Sequence, residues 1–66
     1  MTIKKFMEMY LGDTTDVIKI NYGSLAVEYT VEDLCDEIAR PGDKVGKAKI
    51  AAFYRTENGM SIVTVF

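Results

Sequence analysis

The sequence predicts an α+β fold with the element order α-β-β-α-β-β: two hairpins forming an antiparallel sheet of about four strands, packed with two helices. Three observations lead there. Apolar residues recur at helical spacing in two segments, and they alternate with polar ones in another. Gly-Ser and Asn-Gly dipeptides sit where the extended runs must reverse.

The first helix is read from Ile3, Phe6, Met7, Tyr10 and Leu11, which fall on one stripe at i, i+3, i+4, i+7 and i+8. Thr2 is placed to cap its start, and Gly12 to take the left-handed position past its end. In "VIKINY" and "LAVEY", Ile18, Ile20, Tyr22, Leu25, Val27 and Tyr29 alternate with Lys19, Asn21, Ala26 and Glu28. A two-residue II′ turn at Gly23-Ser24 would pair Tyr22 with Leu25, Ile20 with Val27 and Ile18 with Tyr29 on the buried face. The same register sets Lys19 opposite Glu28 on the other face.

Thr30 is positioned to cap a second helix, with Asp33 three residues on. Val31, Leu34, Cys35 and Ile38 form its apolar stripe, and Pro41-Gly42 end it. The final third reads as a second hairpin around Asn58-Gly59, with several registers open. Ile50, Ala52 and Tyr54 face one way, Ala51 and Phe53 the other. The last strand brings Met60, Ile62, Val63, Val65 and Phe66, so this hairpin is expected to be buried on both faces. If both helices share one sheet face, the side bearing Ala51 and Phe53 is left for a second copy or another partner.

The chain has 66 residues, 48% hydrophobic and 27% charged, and is expected to form one domain, residues 1–66. At this size, ordering cost and apolar burial nearly cancel, so a marginal monomer and a self-associated form are both compatible with composition. The single cysteine excludes an internal disulfide framework. "MTIKKFMEMYLGDTTD" is interrupted by Glu8 and Gly12-Asp13, so it is expected to be neither a signal peptide nor a membrane span. A cytoplasmic protein is the default expectation.

The net charge of −2 is unevenly distributed: residues 28–37 carry −5 and residues 38–55 carry +4. With no histidine, Ser-His and Cys-His nucleophilic pairs and every His-containing metal site are excluded. Cys35, on the core stripe among carboxylates, is expected to be inert, because burial and negative neighbours both oppose the thiolate. Glu32, Asp33, Asp36 and Glu37 have the spacing of a solvated helix face and match no calcium loop. "RPGDKVGK" has the composition of a phosphate loop without its glycine spacing, so a connecting turn is expected. No cofactor, metal or catalytic residue is expected.

Two binding readings remain. The first is a non-enzymatic protein-binding module using Glu32, Asp33, Asp36 and Glu37 together with Ala51 and Phe53. The alternative is a small nucleic-acid-binding regulator using Arg40, Lys44, Lys47, Lys49 and Arg55, with aromatic residues nearby. In addition, "MTIKKFMEMYLGDTTDVIKI" and "IAAFYRTENGMSIVTVF" resemble the two ends of short, uncharacterised α+β proteins encoded on bacterial phages and integrative elements. That resemblance implies a mobile-element accessory protein, a class whose small acidic members bind and modulate host proteins. It assigns no functional residue.

Overall fold

The structure is a computed structural model that describes all 66 residues. Thr2 caps α1 (Ile3–Glu8) as the sequence predicts, its hydroxyl accepting the Lys5 N–H at 3.2 Å. The helix stops earlier than its stripe. Met9 is the C-cap, Leu11 is fully exposed, and Gly12 does not have positive φ. Beyond the helix the Tyr10 hydroxyl donates to Asp16 at 2.6 Å, tying the irregular segment back on itself.

The first hairpin has the predicted register. β1 (Val17–Tyr22) and β2 (Leu25–Thr30) pair Tyr22 with Leu25, Ile20 with Val27, Lys19 with Glu28 and Ile18 with Tyr29. Gly23 takes φ +71° while Ser24 stays at negative φ, the combination a II′ turn requires. Leu25, expected on the buried face, is exposed because it lies at the outer end of an edge strand.

Strand β2 runs directly into α2 (Val31–Ala39), where the Thr30 hydroxyl accepts the Asp33 N–H at 3.1 Å. Arg40 is extended at φ −72° and ψ 142°, the conformation favoured before proline, and the helix ends there. Val31 and Leu34 are buried and Ile38 is half-buried, but Cys35 is exposed. This corrects the expected core thiol. Val31, Leu34 and Ile38 define the contact line, and Cys35 stands on its flank, at an open groove between α1 and α2.

Strands β3 (Ile50–Arg55) and β4 (Ser61–Val65) form the second hairpin. Thr56 donates to the Met60 carbonyl at 2.8 Å across the turn, and Gly59 supplies φ +84°. The sheet order is β2-β1-β4-β3. Both hairpins are antiparallel, but β1 and β4 pair in parallel, with Ile18 beside Ser61 and Ile20 beside Val63. The sheet is therefore mixed rather than wholly antiparallel. Each hairpin is specified locally by its turn, whereas the two meet through β1 and β4, the strands with the most buried residues. Strand β3 is left at the edge although it is the most apolar strand in composition.

Ile18, Ile20, Val63 and Val65 of these central strands meet Ile3, Val31 and Leu34 from the helix side to make one core. Both helices cover one sheet face. The opposite face, with Lys19, Asn21, Ala52, Tyr54, Ile62 and Thr64, has no helix over it. Double-sided burial of the second hairpin is not found. β4 is buried on the helix side and half-buried on the other, while β3 is an edge strand with every residue after Ile50 exposed.

A break in register between Ile50 and Ala52 resets the alternation in β3. Phe53 pairs with Val63 and so lies on the helix side, its ring 5.2 Å from that of Phe6 in an edge-on arrangement. The expectation that Ala51 and Phe53 share the open face is thus corrected: Ala52 and Tyr54 occupy that face, and Ala51 sits at the irregularity.

Candidate functional site

The segment that leaves α1 early creates the most developed polar cluster in the molecule. Asp16 Oδ2 accepts from the Tyr10 hydroxyl at 2.6 Å and from the Asp13 N–H at 3.1 Å, and lies 3.6 Å from Arg55 Nη2. Gly12 is needed because a β-carbon there would stand 2.6 Å from the Tyr10 ring and closer still to Asp16 Oδ2. The Tyr10 bond holds the Asp16 carboxyl below its ordinary range, with the Asp13 N–H and Arg55 acting in the same direction against partial burial. The same bond, with burial, raises the Tyr10 phenol.

Each shift carries a sign. Depressed in the fold, Asp16 contributes stability above its unfolded pKa and loses it as pH falls through its folded one. Raised in the fold, Tyr10 contributes below its unfolded pKa and loses that contribution as pH rises through its folded one. The stability difference between the wild type and Tyr10→Phe is therefore expected to be flat across neutral pH. It should shrink at both the acidic and the strongly alkaline ends. Urea titrations over pH check this, and a difference independent of pH would show that the bond is not formed in solution.

Above the cluster lies a groove of about 520 Å³. Phe6, Met9 and Leu11 form one wall, Phe53, Tyr54 and Arg55 the other, and buried Ser61 lies beneath. Met9 is 50% exposed, Leu11 99%, Phe53 57% and Tyr54 59%. Three large apolar side chains, Met9, Leu11 and Phe53, open to solvent around one groove, with Tyr54 bordering it from β3, and form a patch of the kind that marks a binding surface.

The residues expected from sequence to form sites do not assemble into one place. Glu32, Asp33 and Asp36 are exposed on α2, and Glu37 is engaged by Arg40 at 3.2 Å. Helix α2 lies against β2, at the opposite edge of the sheet from β3. The sheet edges are roughly 14 Å apart, so the acidic face and Phe53 are separate surfaces. No three carboxylate or thiol side chains come together in an arrangement that could hold a metal ion.

The basic residues are similarly dispersed. Lys44, Lys47 and Lys49 are exposed, Arg40 is held by Glu37, and Arg55 is held by Asp16. Lys49 precedes one end of β3 and Arg55 closes the other, roughly 20 Å away along the strand. In "RPGDKVGK", Asp43 accepts from the N–H groups of Val45 at 3.0 Å and Gly46 at 2.8 Å. These amides already have an internal carboxylate partner, and the segment is the connecting turn that the sequence predicts. Cys35 lies at the rim of a second groove, between α1 and α2, with Met7 and Ile38.

Sequence reasoning missed the groove beside β3 and the Tyr10–Asp16–Arg55 cluster. The available signal was Gly12-Asp13, which interrupts the helical pattern immediately after Leu11. No family model, curated protein or solved structure matches the chain. No helix is long and apolar enough to cross a membrane.

Proposed function

We propose that this chain is a non-enzymatic protein-binding module that docks its partner in the groove between the Met9–Gly12 segment and β3. Carried further along the resemblance to mobile-element proteins, the partner is a host protein whose activity is modulated. The supporting observation is the convergence of exposed Met9, Leu11 and Phe53 on one groove that Tyr54 borders at a sheet edge. Glu32, Asp33 and Asp36 form a second, charged surface that steers encounter rather than anchoring the complex.

Leu11→Asp tests this directly, because a fully exposed side chain can be changed without disturbing the core. Immobilised wild type is expected to retain a partner from the source cell that the variant releases. Equal recovery by both would remove the groove from the interface. Neutralising Glu32, Asp33, Asp36 and Glu37 together is expected to lower the salt sensitivity of capture and leave the fold intact.

A second copy of the chain is the other occupant this surface would accept. A homodimer on the second hairpin would be weakened by Phe53→Asp more than the fold is. Exposed Lys44, Lys47 and Lys49 support the alternative of nucleic-acid binding. A fluorescence-polarisation titration with DNA and RNA at two salt concentrations separates it, since phosphate contacts give a steep salt slope.

A further inference from the structure

The backbone of β3 adds a second feature to the groove. Tyr54 and Ala52 pair with Ile62 and Thr64, in step with the Thr56–Met60 hydrogen bond at the turn. In an antiparallel ladder, alternate residues direct their N–H and C=O groups to opposite sides. Those of Phe53 and Arg55 therefore point away from β4, toward the free edge. The N-terminal residues occupy only the start of that edge: Ile50 donates to the Met1 carbonyl at 2.7 Å, and Thr2 bridges Lys49. From Phe53 onward, the edge is open beside the groove.

The side chains of these two residues also line the groove, and Arg55 is its only charged member. Asp16 meets the guanidinium at one nitrogen, Nη2. A guanidinium has five N–H donors, so most of its capacity remains available to a ligand carboxylate. Backbone donors, an apolar recess and a cation are thus spaced two residues apart along one exposed strand.

Resting on the docking function proposed above, we infer that the partner contributes an extended peptide segment of the pattern apolar–any–acidic, which adds a fifth strand beside β3. Its apolar side chain sits in the recess by Phe6 and Phe53. Its acidic side chain, two residues away and hence on the same side of the added strand, pairs with Arg55.

A phage-displayed library of random peptides panned against the full chain tests the pattern. Peptides with an apolar residue and an acid two apart are expected to be enriched. Panning against Arg55→Glu, checked for folding by circular dichroism, is expected to replace the acid with lysine or arginine. Arg55→Gln, which leaves no charge to repel Asp16, is expected to lose the preference for either. Synthetic peptides from the wild-type selection, N-methylated one residue at a time, are expected to bind about tenfold more weakly at alternate positions only.

Binding with no acid preference, or with equal sensitivity to methylation at every position, would overturn strand addition. If no peptide is enriched while Leu11→Asp still releases the captured partner, the peptide inference fails and the docking function stands. If Leu11→Asp also has no effect, both fail. Sedimentation showing a dimer that Phe53→Asp dissociates would assign the edge to a second copy and overturn the peptide assignment.

Discussion

Leu34→Ala is expected to remove most of the stability of the fold and to leave a measurable fraction of the chain unfolded at room temperature. Leu34 is completely buried where α2 meets the sheet, against a core of only seven buried apolar residues. Truncating such a leucine costs about 2–5 kcal/mol, through lost transfer energy and the cavity left behind. A single core in a chain of this length rarely supplies more than about 3–5 kcal/mol in total. The two quantities are of the same size, so the substitution consumes most of the margin. Chemical denaturation followed by far-ultraviolet circular dichroism measures this, and a cooperative transition with an unchanged midpoint would show that Leu34 is not packed in the core in solution.

Ile3→Ala is expected to produce a different failure, confined to one end of the molecule. Ile3 is the only buried residue of a six-residue helix. Isolated helices of that length do not form in water, so α1 exists because Ile3 is docked. The cost is again about 2–5 kcal/mol, but it falls first on α1, Phe6 and the wall of the groove. Hydrogen exchange is expected to show lost protection at the Phe6 amide, which donates to the Thr2 carbonyl. Amides in β1 and β4 should keep more of theirs. Uniform loss across the sheet would mean that α1 and the sheet unfold as one unit.

The contrast between these two variants reflects what the sequence makes legible. Thr2 and Thr30 announce the helix starts, and Gly23-Ser24 dictates the register of the first hairpin, because capping and turn geometry are decided by a few neighbouring residues. The sequence puts Cys35 with the core residues because a helical stripe shows which residues share a side, not how narrow the line of contact is. The face of Phe53 was misplaced for a related reason. One irregularity after Ile50 inverts every subsequent residue, and nothing in "KIAAFYR" announces it.

The candidate groove was the least legible part. The bond between Tyr10 and Asp16 joins residues six apart in irregular backbone, where no periodicity applies. Its opposite wall comes from β3, whose place at the sheet edge depends on β1 and β4 pairing in parallel. The apolar content of "IAAFY" signalled burial, yet on an edge strand the same composition yields exposed Phe53 and Tyr54.

The central parallel pair has a further consequence, for the order of events during folding. Residues 18–21 and 61–64 are neighbours in space but lie near opposite ends of the sequence. Either hairpin can form from local contacts within microseconds, but neither encloses the core alone. The entropy of closing about two-thirds of the chain into one loop must be met before Val63 reaches Ile20. Productive folding therefore waits for residues 61–65, and until they arrive the inner edge of β1 remains an unsatisfied template. During synthesis this interval is a hazard, since a nascent strand with Ile18 and Ile20 uncovered can pair with a neighbouring nascent chain. Refolding yield is accordingly expected to fall with protein concentration more steeply than native solubility does.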